Sequence, residues 1–202
     1  MTQEFFIDRM GEENPDADLD LIRQRQQIAR EKLDLMVQYA AYHRDRRNIT
    51  THFIGIPLIV FAIGVLLSRP AFEVGSLLLT PAWIVWAAAA VWYLTRGNLV
   101  LGLAVTLGTA LLMLMAHRVP TASTAAWLSW GLGTFVIGWV LQFIGHYYEG
   151  RKPAFVDDLI GLLVGPMFVT GEFLFGLGWG KPLLDEIERR AGPTMLRDLA
   201  HP

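Results

Sequence analysis

The stretch YAAYHRDRRNITTHFIGIPLIVFAIGVLL, residues 39–67, decides the fold. It passes from a charged segment with two histidines directly into an unbroken apolar run. The apolar part, 53–67, falls short of the ~20 residues that a spanning helix needs, unless the polar approach at 49–52 continues the same helix. Outward from here the pattern repeats. Between 52 and 148 the charged residues are only Arg69, Glu73, Arg96 and Arg118, whereas 1–47 and 181–202 are rich in charge. A chain of 202 residues, 53% hydrophobic and 18% charged, with its charge at the two ends, reads as an all-α integral membrane protein.

Further apolar runs at 74–94, 99–116 and 125–144 bring the expectation to four transmembrane helices. Pro81 either kinks the second or marks its true start. The segment 156–179 opens with Asp157 and Asp158, contains Pro166 and carries Glu172. A carboxylate and irregular backbone at membrane depth predict a re-entrant pair of half-helices, with a fifth span as the alternative. Arg44, Arg46 and Arg47 are among many basic residues before the first span, against Arg69 alone in the loop after it, which puts the amino end in the cytoplasm. Four crossings return the tail to the same side. The expected organisation is therefore a cytoplasmic amphipathic helical region at 1–47, a membrane domain at 48–180 and a cytoplasmic tail helix at 181–202. For a bacterial chain the membrane is the inner one. The acidic start lacks the basic-then-apolar pattern of a cleaved signal peptide. The absence of cysteine excludes thiolate catalysis, iron–sulfur clusters and zinc–cysteine sites, and a net charge of −2 argues against a nucleic-acid partner. No internal repeat supports a transporter.

This topology gathers three histidines. His43 and His52 lie at the cytoplasmic mouth of the first span, His146 ends the fourth span on that face, and His117 ends the third on the opposite one. At 100° per residue Tyr39 and His43 share a helix face, as do Asn48 and His52. Gln142, His146 and Glu149 form a polar stripe within about 60°. His43 and His52, nine residues apart, are about 180° apart on a continuous helix. They meet one ion only if the helix breaks between them, and residues 44–51 are where the break is expected. Imidazoles with one or more carboxylates, and no thiolate, suit iron, manganese or zinc. The expected ligands are His43, His52, His146 and Glu172, with Glu149 beside the histidines as a catalytic group. Tyr39, Asn48, Gln142, Asp157 and Asp158 are expected to orient them. Arg47 is a candidate clamp for a substrate carboxylate. The competing readings of the same residues are a zinc-dependent lipid hydrolase, and a lipid-binding protein whose polar groups only tie helices together.

YAAYHRDRRNITTHFIGIP and, further on, WVLQFIGHYYEGRKPAFVDDLIGLLVGPMFVTGEFLF resemble the two signatures of the fungal 2-hydroxy-fatty-acid dioxygenase family. The two stretches, in this order and separated by apolar spans, cover roughly a third of the chain. By motif position His43, Asn48, His52, Gln142, His146, Glu149, Pro153 and Glu172 match that family's pattern. The resemblance implies an iron(II)-dependent membrane dioxygenase of fatty acid α-oxidation. Its partners would be a 2-hydroxy long-chain fatty acid, O2 and membrane lipid, and its product an acid one carbon shorter.

Overall fold

The computed structural model describes residues 15–75, 77–96, 98–119, 123–153 and 160–198. Among these residues seven helices follow in order: α1 (Pro15–Ala41), α2 (Arg46–Leu66), α3 (Pro81–Arg96), α4 (Leu99–Ala116), α5 (Thr124–Glu149), α6 (Gly161–Gly176) and α7 (Lys181–Ala191). Three of them, α2, α4 and α5, are long and apolar enough to cross a membrane. The polar approach does continue the first span: α2 begins at Arg46, capped by Asp45, whose carboxylate accepts from the Arg47 N–H at 2.8 Å.

The expected second span is shorter than its apolar run. A two-stranded antiparallel hairpin, β1 (Phe72–Val74) with β2 (Leu77–Leu79), occupies its first part, and the helix starts at Pro81. Proline supplies no N–H and restricts the residue before it, so it suits a first helical position and resists any extension backwards. The resulting 16 residues reach about 24 Å. Even so, α3 runs antiparallel to α4 and packs along it. Thr80 at its start donates to His117 at the end of α4, 2.9 Å away, and its other end lies against Gly102 near the start of α4.

Helices α2 and α5 make the most extensive contact, and they are antiparallel: Trp127 near the start of α5 donates its indole N–H to Val65 O at 2.7 Å, near the end of α2. Three glycines of α5 at seven-residue spacing, Gly131, Gly138 and Gly145, face α2. A methyl group added at Gly138 would meet Ile59 Cγ1 at 2.7 Å and Gly55 O at 2.9 Å. Small residues let the two backbones approach, as is common between helices in lipid. The outer faces carry exposed Ile84, Leu107, Leu111, Val136 and Phe173, a surface that water would not tolerate and lipid would.

The last apolar segment differs from the expected pair of half-helices. α6 is one continuous helix through Pro166, and the sharp turn, 119°, comes after it, where amphipathic α7 begins. The last turns of α1 pack Met36, Tyr39 and Ala40 against α6 and α7, so the polar end of the molecule is a helical platform beneath the bundle. Residues 192–198, the described part of the expected tail helix beyond α7, are not helix. They form an extended strap, with Met195 bridged in parallel to Asp45.

Candidate metal centre

The chain leaves α1 at Ala41 and enters α2 at Arg46, so the predicted break falls at 42–45, at the amino edge of the expected region. The break removes the 180° separation and turns His43 to face His52. Both residues are essentially inaccessible to solvent. His43 Nδ1 lies 2.7 Å from Tyr39 O, and His52 Nδ1 lies 2.9 Å from Asn48 O. A carbonyl oxygen only accepts, so in both rings Nδ1 carries the hydrogen and Nε2 presents a lone pair. These two Nε2 atoms are 3.0 Å apart.

Two lone pairs facing at that distance repel, and a proton between them is disfavoured by burial. Desolvation, with His52 alongside, holds His43 well below the ordinary histidine range. His146 comes in from α5, its ring centroid 4.9 Å from that of His43 and 5.1 Å from that of His52, with its buried Nδ1 unpartnered among the described residues. One ring nitrogen from each histidine lies within 4.8 Å of the others. A cation that accepts these lone pairs removes the repulsion, and donation of the other ring N–H to a backbone carbonyl is how ligand histidines are commonly held. Three imidazoles fit iron, zinc or copper. Tyr39 stacks flat on His43, 4.1 Å between centroids and 6° between planes, and fixes that ring further.

The other expected site residues take different positions. Glu149 is fully buried one turn beyond His146, and every lone-pair direction is used. Its Oε2 accepts from the Arg44 N–H (2.9 Å), the Asp45 N–H (2.8 Å) and Asn48 Nδ2 (3.1 Å); its Oε1 accepts from Arg197 Nε (3.0 Å) and Nη2 (2.8 Å). It is a clamp on the histidine loop, with no oxygen left over for proton transfer. Glu172, expected as a ligand, is not brought to the cluster. Its Oε1 faces the buried Arg44 guanidinium at 3.8 Å, and that charge accounts for a carboxylate in an apolar helix. Arg47, the expected carboxylate clamp, is committed to Asp45 (3.0 and 2.7 Å) and Arg197 O (2.8 Å) and lies over the Tyr148 ring. Its guanidinium is the main reason that the Asp45 carboxyl is held down to about 2. Asn48 and Tyr39 do orient the histidines, through their carbonyls. Asp157 and Asp158 lie outside the described residues. His117 sits at the far end of the bundle, bonded to Thr80 and stacked on Trp83, as the topology requires.

A cavity of about 320 Å³ opens from His52 and His146. Tyr39 and Gln142 line its head, and Ile56, Ile59, Ile63, Phe135 and Trp139 continue it between α2 and α5. Its wall is almost wholly apolar beyond the histidines. Two features of the site have no local signature in the sequence: the saturation of Glu149, and the strap that supplies Arg197. Each depends on partners 48 to 152 residues away.

Residues 30–177 match the model of the family described as 2-hydroxy-palmitic acid dioxygenase Mpo1-like. The chain is 35% identical over 153 residues to 2-hydroxy-palmitic acid dioxygenase MPO1 of Saccharomyces cerevisiae, covering 73% of this chain and 83% of that protein. No solved structure matches.

Proposed function

This chain belongs to the 2-hydroxy-palmitic acid dioxygenase Mpo1-like family, and on that premise we propose that it is an iron(II)-dependent membrane dioxygenase of 2-hydroxy fatty acids. The observation that carries the reading is the pair of imidazole lone pairs 3.0 Å apart, joined by His146, at the head of an apolar cavity. In the proposed reaction the C1–C2 bond of the 2-hydroxy acid breaks. C2 becomes the carboxyl carbon of an acid one carbon shorter, C1 leaves as carbon dioxide, and one water forms. The substrate gives up four electrons and one O2 takes them, so no further reductant is required. Iron(II), when bound, supplies the redox chemistry that dioxygen needs to react with a closed-shell acid.

The protein's own part is positioning. His43, His52 and His146 hold the metal, with the carbonyls of Tyr39 and Asn48 setting the first two rings. The polar head of the substrate lies at the cavity mouth beside Gln142 and Tyr39, and the acyl chain runs along Ile56, Ile59 and Ile63. Apolar walls there exclude water from the reacting head. Helices α2 to α5 each cross the membrane in this reading, the bent pair α6 and α7 turns back to the cytoplasmic side, and both termini are cytoplasmic in a bacterial inner membrane. The basic residues before α2 support that orientation. An amphiphile then keeps its head near water and its tail in hydrocarbon.

The test is metal content and oxygen uptake of protein purified without oxygen. Stoichiometric iron, and oxygen uptake matched to loss of 2-hydroxypalmitate, are expected in the wild type and absent from a folded His52→Ala variant. Bound zinc with oxygen-independent lipid hydrolysis would replace the dioxygenase with a hydrolase. A folded wild type that takes up no metal even after iron is added would leave a lipid-binding protein.

A further inference from the structure

We propose that the strap at residues 192–198 completes the metal centre, and that Arg197 is a positioning residue whose hold on Glu149 sets metal affinity. The proposal rests on the metal-site reading above. The strap lies beyond the residues that match the family model, which end at 177.

His43 sits on a short non-helical link, so its Nε2 position depends on what fixes the backbone at residues 44 and 45. Three things fix it, and the strap takes part in each. Met195 pairs with both sides of the loop, its N–H donating to Arg44 O at 2.8 Å and its carbonyl accepting the Arg46 N–H at 2.9 Å. The Arg197 N–H donates to Asp45 Oδ2 at 2.8 Å, and Arg44 Nη1 reaches back to Gly192 O at 2.9 Å. The third is Glu149, which receives the N–H groups of Arg44 and Asp45 on one oxygen and the Arg197 guanidinium on the other.

Glu149 grips two backbone N–H groups most strongly as a carboxylate, and a carboxylate at 1% exposure needs an opposing charge. Among the described residues the guanidinium that touches it is that of Arg197. The other buried cation nearby, Arg44, points its Nη2 at Glu172. Glu149 Oε2, which holds the two backbone N–H groups, also receives Asn48 Nδ2, and the Asn48 carbonyl orients His52. Arg197 therefore bears on both facing histidines through a single carboxylate.

The experiment compares the full-length wild type with Arg197→Ala, Arg197→Lys and a control, Arg190→Ala, which cuts the 2.8 Å ion pair of α7 with Asp34 on α1 without touching the loop. Iron(II) loss to a chromogenic chelator is followed without oxygen, together with the visible bands of the cobalt(II)-loaded protein and the melting temperature. Outer supports of metal ligands commonly change affinity 10–100-fold, so Arg197→Ala should bind about ten-fold more weakly and shift the cobalt bands. Arg197→Lys keeps the charge without the two-pronged contact and should fall between. Arg190→Ala should behave as wild type. Unchanged affinity and bands in Arg197→Ala would overturn the proposal, as would an equal loss in Arg190→Ala. If Arg197→Ala does not fold, wild-type affinity in Arg197→Lys overturns it. A wild type that binds no iron would instead fail the metal reading itself.

Discussion

His43 and His52 show how much one pair of atoms can imply. Their Nδ1–H groups are committed to carbonyls, so each ring offers only a lone pair to the other at 3.0 Å. In the proposed metal centre a bound cation would relieve that repulsion. Chelation should therefore lower the melting temperature of the wild type, and a ligand at about 100 times its dissociation constant adds ~2.7 kcal/mol. The His52→Ala variant should melt at the same temperature with and without chelator; a chelator effect that survives there would place the metal elsewhere. Glu149 is the second residue on which the site turns. Glu149→Gln keeps the shape but turns an amide N–H₂ toward donors and removes the charge facing Arg197. Breaking such a buried contact costs on the order of 3 kcal/mol. Denaturation of detergent-solubilised protein would read it, with loss of bound iron in parallel.

At the scale of elements the α2–α5 pair carries the site, because two of the three histidines sit on it at opposite sequence ends. Gly131, Gly138 and Gly145 allow that approach. Gly138→Leu should force the helices apart at a cost of about 1–3 kcal/mol, the usual range for overpacking, and lower metal content with it. Gly133 is the internal control. Nothing lies within 4 Å of an added methyl there, so Gly133→Ala should be neutral or stabilising by up to ~1 kcal/mol. Equal melting temperatures for the two variants would remove close packing as the reason for these glycines. The hairpin at 72–79 and the continuous α6 are elements that hydropathy did not separate from helix or from half-helices. Hydropathy reports how apolar a segment is, and strand, helix and kinked helix can be equally apolar.

On the scale of the molecule, the cavity joins the histidine cluster to an apolar channel between α2 and α5. From His52 to Ile63 it follows α2 for 11 residues, a depth of about 16 Å. Ile63→Trp fills its far end and should leave bound iron unchanged. Oxygen uptake with 2-hydroxypalmitate should fall about ten-fold or more, while shorter 2-hydroxy acids keep wild-type rates. An equal response at every chain length would put the acyl tail somewhere else. The amino-acid sequence by itself determined the membrane class, the apolar runs, the gathering of His43, His52 and His146 on one side, and the need for a break between the first two. These follow from local hydropathy, helical period and the alternating direction of successive helices, all legible along the chain. The tertiary structure alone decided that Glu149 is a clamp, that Glu172 answers Arg44, that Arg47 is spent on Asp45, and that the tail straps the histidine loop. Each is a pairing between buried polar groups far apart in sequence. Which partner a buried charge finds depends on where packing leaves it, and no local pattern of residue types encodes that.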